Sequence, residues 1–118
     1  MFLSRHSILV LLLSGLAVLP LSRAFAEYTE SADLNAVISQ YRAEGPEVTL
    51  PQFERLQAQY EQSGDRFNEA RAEHFIGECH WRLGDYQQSR IFLENALQDS
   101  RELHDRLGEG KTLNVLGL

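Results

Sequence analysis

Cysteine is nearly absent from this chain, since Cys79 is the only one among 118 residues. A lone cysteine cannot close an intramolecular disulfide, so the fold must be stabilised by packing even in an oxidising compartment. Sustained alternation of apolar and polar residues is also missing, and β-branched residues are few, which argues against a sheet. Helical periodicity runs through the rest of the sequence instead. The chain is therefore predicted to be all-α.

Motifs that carry catalysis are missing as well. The sequence has no Gly-rich phosphate loop, no G-x-S-x-G elbow and no paired carboxylates on a pocket-like apolar background. His74, Cys79 and His80 raise the question of a metal or a nucleophile, but Cys79 and His80 point about 100° apart on a helix, and the two histidines lack i, i+4 spacing. We predict that the protein is not an enzyme and has no catalytic residue, metal site or cofactor.

The first 26 residues have the pattern of a signal peptide. Arg5 and His6 form a short basic start, residues 8–21 are mostly apolar, and Ala24-Phe25-Ala26 supplies the small residues of a cleavage site. The apolar run, which Pro20 interrupts, is shorter than the ~20 residues that cross a bilayer as a helix. We therefore expect export to the periplasm or the exterior, and not an uncleaved membrane anchor.

Clustered basic residues are lacking in the part that follows. Removal of residues 1–26 takes away Arg5 and Arg23 and leaves nine Lys and Arg against 17 Asp and Glu, a net charge of −8. Binding to nucleic acid or to an anionic membrane requires clustered cations, whereas the basic residues here lie among acids. Neither nucleic acid nor, after signal cleavage, a membrane is an expected partner.

Apolar residues recur at helical spacing in five segments, of which two precede residue 65. The first helix is predicted to begin after the N-cap Ser31 and to end at Gly45-Pro46. The second is predicted to begin near Thr49, with Pro51 in its first turn, and to end at Ser63-Gly64. Their expected buried stripes are Leu34, Val37, Ile38 and Tyr41, followed by Phe53, Leu56 and Tyr60.

Three more helices are predicted after residue 64. The third covers residues 65–83 and is ended by Gly84 in a left-handed conformation. The fourth is capped by Asp85, with Gln88 completing a capping box, and reaches residue 103; the fifth begins near Leu107. The residues expected to be buried are Ala72, Phe75, Ile76, Cys79 and Leu83 in the third helix, and Tyr86, Ser89, Leu93, Ala96 and Leu97 in the fourth. The fifth helix has Leu113 and Leu116 as its apolar residues.

These helices repeat with a period of 40 residues. The repeated residues are Asp65, Arg66, Glu69 and Gly77, which recur as Asp105, Arg106, Glu109 and Gly117. Short loops between repeated helices predict stacked antiparallel hairpins. The expected organisation is a signal peptide over 1–26, a degenerate hairpin over 27–64, a complete repeat over 65–104 and the first helix of an unfinished repeat over 105–118.

Residues 72–97 resemble a tetratricopeptide repeat (TPR). The resemblance is carried by Ile76-Gly77 in the first helix, Leu83-Gly84-Asp85-Tyr86 at the turn, and Leu93 with Ala96-Leu97 in the second helix. The tail looks like the longer bacterial variant of the repeat, which often precedes a caspase-like CHAT domain. The resemblance implies a short TPR-like α-solenoid in which Gly77 admits the second helix closely and Tyr86 fills the space under the turn. Glu73 and Ser89 depart from the pattern, because the family often has a bulky aromatic residue and an alanine there.

In that family the first helix of each repeat lines a concave groove that binds peptide segments. By helical spacing, the resemblance assigns this groove to Arg71, His74, Glu78, Trp81, Arg82, Lys111 and Asn114. The family's clamp for a terminal carboxylate is not predicted, since it needs a Lys and Asn pair where this chain has His74 and Glu78. Trp81 has a second interpretation, as packing beside the turn.

Three hypotheses remain open from the sequence. The first is an exported interaction scaffold that binds a protein or peptide partner in this groove. The second is the amino-terminal part of a longer exported protein, whose function, catalytic or not, lies downstream, because about three repeats are needed to bury the faces of such a stack. The third is self-association through the C-terminal helix, where Leu113, Leu116 and Leu118 are expected to lack a covering helix.

Overall fold

The computed structural model describes residues 28–118, so the predicted signal peptide lies outside the described range. Within that range the chain forms helices and no strand, which confirms the all-α prediction. The five helices are α1 (Ala32–Glu44), α2 (Pro46–Ser63), α3 (Arg66–Arg82), α4 (Tyr86–Glu102) and α5 (Arg106–Leu116). Consecutive helices are joined by one to three residues.

Side-chain caps begin four of these helices. Ser31, Asp65, Asp85 and Asp105 each accept a hydrogen bond from the backbone N–H three residues further on. Each cap satisfies one of the N–H groups that the first turn of a helix leaves without a partner. The predicted caps Ser31 and Asp85 are therefore confirmed. So is the left-handed turn at Gly84, whose φ is 85°.

The predicted start of α2 was wrong by three residues. Pro46 is its first residue, where a fixed φ and a missing N–H favour the beginning of a helix. Thr49 lies in the first turn and is fully buried, and its hydroxyl donates to the carbonyl oxygen of Gly45 at 2.8 Å. Pro51 consequently lies inside the helix. Pro46 and Pro51 are each compatible with the first turn of a helix, and apolar periodicity alone does not show which of them begins α2.

The core lies between α1, α2 and α3. Phe53 of α2 is fully buried, stacks on Phe75 of α3 with ring centroids 5.2 Å apart, and meets Tyr41 of α1 in an edge contact at 6.0 Å. The other buried members of this cluster are Leu34, Ile38, Leu56, Tyr60, Ala72, Ile76 and Cys79. Each helix packs mainly against its neighbours in sequence, and α3 also touches α1 and α5. The central helix is therefore α3.

Two residues predicted to be buried are exposed instead. Leu83 is 42% exposed and Tyr86 is 65% exposed. They flank the turn between α3 and α4, where each helix ends and no described element covers them. Tyr86 therefore does not fill the space under the turn. The remaining predicted members of the α4 stripe, Ser89, Leu93, Ala96 and Leu97, are buried.

Gly77 provides the close approach of α4 to α3 that was predicted. A Cβ atom at this position would lie 2.6 Å from Cγ of Leu93 and 3.2 Å from the backbone oxygen of Ser89. Leu93 is only 1% exposed, so its side chain has little space into which it can move. The α3–α4 contact thus depends on a residue without a side chain at this position.

Replacement of Gly77 with alanine is expected to lower the free energy of unfolding by about 1–2 kcal/mol, because overpacking outweighs the gain of about 1 kcal/mol in helix propensity. Gly110→Ala is the matched control, since a Cβ there meets nothing within 4 Å. That variant is expected to be more stable than the parent by up to about 1 kcal/mol. Urea denaturation of the two variants checks both signs, and stabilisation by both would contradict the packing argument.

Candidate functional site

A cleft of the described chain lies where α1, α3 and α5 come together. It has a volume of about 530 Å³ and is called here the α1–α3–α5 cleft. Its lining residues are Glu30, Asn35, Ile38, Ser39, Tyr41, Arg42, Arg71, His74, Phe75, Glu78 and Lys111. Four of the residues predicted for the groove are among them, namely Arg71, His74, Glu78 and Lys111. The structure therefore brings together the α3 and α5 parts of that prediction.

Arg71 is a buried cation that already has a partner. Its side chain is 6% exposed, and its Nη2 and Nε atoms lie 2.6 Å and 2.7 Å from the same oxygen, Oε1 of Glu30. The guanidinium also lies over the ring of Phe75, 5.5 Å from its centroid. Because a buried charge without a partner is costly, Arg71 requires a carboxylate at this position.

The same side of α3 holds a polar link to α5. The Nδ1 atom of His74 lies 3.0 Å from the hydroxyl of Thr112, a residue that is 1% exposed. The Nε2 atom of His74 lies 3.6 Å from Oε2 of Glu78. The pKa of Glu78 is held below its ordinary value, chiefly by this histidine. His74 thus joins two helices at the bottom of the cleft and is only 4% exposed.

Two exposed cations stand on opposite walls of the cleft. Arg42 belongs to α1 and Lys111 to α5, and neither forms an ion pair with any residue in 28–118. The sequence prediction included Lys111 and missed Arg42. Arg42 follows Ile38 by one turn of α1, so the helical spacing used for α3 would have found it if it had also been applied to α1. The cleft therefore holds two cations without an ion-pair partner in residues 28–118, alongside the carboxylates of Glu30 and Glu78.

Trp81, Arg82 and Asn114 were also predicted for the groove but are not among the lining residues of this cleft. The guanidinium of Arg82 lies over the ring of Tyr41, 5.1 Å from its centroid. Asn114 is exposed and lines neither of the two larger clefts. Trp81 is 52% exposed and lines a separate cleft of about 500 Å³ between α4 and the end of α5, together with Tyr86, Leu93, Leu97, Val115, Leu116 and Leu118. We call this the α4–α5 cleft.

A short segment before α1 lies against α3 and was missed by sequence reasoning. Residues 28–31, called here the strap, have no regular secondary structure. The side chain of Asn68 holds the strap at two backbone atoms, because its Nδ2 donates to the carbonyl of Thr29 at 3.2 Å and its Oδ1 accepts from the N–H of Ser31 at 2.9 Å. Tyr28 stacks on Phe67 with ring centroids 4.9 Å apart. No periodicity marks such a segment, so the sequence carried no signal for it.

Cys79 lies in the core, away from the clefts. It is fully buried, and burial raises the pKa of its thiol to about 11. The thiolate is the reactive form of cysteine, so this side chain is suited to packing and not to nucleophilic chemistry. Among residues 28–118, no group of three His, Cys, Asp or Glu side chains is arranged to hold a metal ion. In the same range, no helix is both long and apolar enough to cross a membrane.

Comparisons with family models, with curated proteins and with solved structures find no match to this chain.

Proposed function

We propose that this protein is an exported scaffold of the TPR type, which binds a peptide or protein segment in the α1–α3–α5 cleft. The observation that carries the proposal is the composition of that cleft, since alternate helices along the chain contribute its lining. In a stack of helical hairpins these are the first helices of successive hairpins, which form the concave face. The 40-residue repeat and the signal-peptide pattern of residues 1–26 support the same proposal.

The floor and walls of the cleft suit a polypeptide ligand. Its exposed lining is mainly polar, because Ile38, Tyr41 and Phe75 at the bottom are almost fully buried, while Arg42 and Lys111 supply exposed donors and charge. Polar groups at fixed positions orient a ligand and exclude others. Peptide segments that lie in a groove of helices are recognised in this way.

A bulky residue placed in the cleft tests this function without assuming the chemistry of the partner. Ser39 is an exposed residue of the cleft lining, so Ser39→Trp is expected to block the cleft sterically. Ala58→Trp is the matched control, since Ala58 is exposed on α2 and lines none of the three clefts. We expect Ser39→Trp to reduce capture of partner proteins from a periplasmic extract at least about tenfold, because it removes the contacts that carry affinity.

Equal capture by the parent, Ser39→Trp and Ala58→Trp chains would show that binding does not take place in the α1–α3–α5 cleft. Circular dichroism of each variant checks that the helices are intact. Mass spectrometry of the captured proteins that depend on residue 39 would then identify the partner.

The α4–α5 cleft favours a second candidate function. Val115 and Leu116 of α5 correspond in the repeat to Phe75 and Ile76 of α3. Phe75 and Ile76 are 8% and 0% exposed, whereas Val115 and Leu116 are only partly buried. The correspondence favours a further helix that packs on this surface, either from a longer exported protein with a downstream domain or from a second copy of the chain. Light scattering and the DNA sequence after the codon for Leu118 distinguish these two sources.

A further inference from the structure

The strap is held in the way that proteins hold an extended peptide ligand. One amide side chain, that of Asn68, pairs with a backbone acceptor and a backbone donor of the strap, at Thr29 and Ser31. Asn68 is itself 4% exposed, and its Nδ2 is oriented by a further hydrogen bond of 2.7 Å to Asp65. Backbone hydrogen bonds of this kind recognise an extended chain without regard to its sequence.

A charge-assisted contact adds the specificity. Between the two backbone contacts, Glu30 places its carboxylate on Arg71 at 2.6–2.7 Å. Hydrogen bonds between ions are roughly twice as strong as neutral ones, and the charge of Arg71 is buried. A segment that takes the place of the strap and covers Arg71 again is therefore expected to bind best with a carboxylate at the position of Glu30.

The surroundings of the strap leave room for a longer acidic segment. Glu30 and Arg71 line both the α1–α3–α5 cleft and a smaller cleft of about 230 Å³ on the other side, which Tyr28 and Phe67 also line. Lys111 lines both clefts as well, and Arg42 lies in the larger one. These two cations have no ion-pair partner in residues 28–118, so each can receive a carboxylate of a ligand. Glu78 in the larger cleft and Asp105 in the smaller one restrict such contacts to the neighbourhood of Arg42 and Lys111.

We propose that Asn68 and Arg71 form a binding site for an extended acidic segment of a partner protein, and that the strap occupies this site in competition with the partner. This proposal rests on the proposed function, because it names the class of segment that the cleft binds. The strap is part of the same chain, so its binding is intramolecular and it competes with a free partner segment at a high effective concentration. It lowers the apparent affinity for the partner without changing the site.

The test uses the strap sequence itself as the probe. A fluorescein-labelled peptide with the sequence of residues 28–33, Tyr-Thr-Glu-Ser-Ala-Asp, is titrated with the parent chain and with a Glu30→Gln chain. The variant strap loses its carboxylate, so we expect the Glu30→Gln chain to bind the probe at least about fivefold more tightly than the parent. A probe with glutamine in place of its glutamate is expected to bind at least about tenfold more weakly.

A matched control and a second signal accompany this titration. Glu54→Gln makes the same chemical change at an exposed position of α2 and is expected to leave the affinity of the parent unchanged. Stacking of Tyr28 on Phe67 is expected to shift its ring proton signals. When probe is added to the parent chain, these signals should move toward their values in the free peptide. That movement reports displacement of the strap.

Two results would overturn the proposal. Equal affinity of the parent and Glu30→Gln chains for the probe, or equal affinity of the two probes for either chain, would mean that the strap is only part of the fold. If partner capture depends on residue 39 while the probe fails to bind, the proposed function stands and this site falls. If the probe binds as expected while no chain captures a partner, the site stands and the proposed function falls.

Discussion

Replacement of Phe53 with alanine is expected to lower the free energy of unfolding by about 4 kcal/mol. Phe53 is fully buried, stacks on Phe75 at 5.2 Å and contacts the edge of Tyr41 at 6.0 Å. The truncated side chain would leave a cavity in the middle of the core, with loss of both aromatic contacts. Such a loss is a large part of the 5–15 kcal/mol by which domains are typically stable.

Phe53→Leu separates the cavity from a general intolerance of substitution. Leucine keeps much of the buried volume, so we expect its cost to be about 1–2 kcal/mol. Urea denaturation followed by circular dichroism measures both variants. A cost of less than about 1 kcal/mol for Phe53→Ala would show that α1, α2 and α3 do not share one core. Tyr41 and Phe75 also form part of the α1–α3–α5 cleft, so Phe53→Ala is further expected to weaken binding there.

The Glu73→Gln variant is expected to be more stable than the parent at pH 8 and similar to it at pH 5. Glu73 is 6% exposed between α2 and α3, and burial raises the pKa of its carboxyl to about 7. Asp99, Glu69 and Glu61 raise this pKa further, while a hydrogen bond from Gln57 of 3.1 Å to Oε1 opposes the shift. Its Oε2 atom is buried without a partner in residues 28–118.

The direction follows from proton linkage. Between the pKa of the unfolded chain near 4.5 and the folded value of about 7, the folded state keeps a proton that the unfolded state has released. Stability therefore falls as pH rises through this window, by up to about 3 kcal/mol from this group. Glutamine has nearly the same shape but does not ionise, so the variant should lose this dependence. We expect a gain of about 2 kcal/mol over the parent at pH 8.

Urea denaturation at several pH values measures the free energy of unfolding of the parent and of Glu73→Gln. In the difference between these two free energies, the contributions of groups that titrate alike in both chains cancel. Glu54→Gln, at an exposed position, is expected to follow the parent at every pH. A difference between Glu73→Gln and the parent that stays constant from pH 5 to pH 8 would contradict the raised pKa. Replacement of this buried carboxylate would thus stabilise the chain in neutral and alkaline conditions.

Local signals predicted the helices well because their causes are local. Ser31 and Asp85 cap helices through contacts with residues only three positions away, and Gly84 ends α3 through its own φ. The start of α2 was harder to predict from the sequence, since Pro46 and Pro51 both favour the first turn of a helix. Burial of Thr49 by the neighbouring helices accompanies the earlier start, and this contact is tertiary.

The groove was predicted in part for a related reason. Helical spacing placed Arg71, His74 and Glu78 on one side of α3, and the structure has all three in one cleft with Lys111. Trp81 lies three residues after Glu78, yet it lines the α4–α5 cleft because α3 ends there and its last turn faces a different neighbour. Spacing gives the direction of a side chain but not the element that it meets.

By itself the sequence determined the all-α class, the number of helices after residue 27 and two of their four side-chain caps, since periodicity and capping act over a few residues. Only the tertiary structure decided which charges remain free. Arg71 looked like an available ligand group, but it is paired with Glu30, 41 residues away in sequence. Arg42 of α1 and Lys111 of α5 line the same cleft. Pairing of charges depends on distances between elements, which no local pattern encodes.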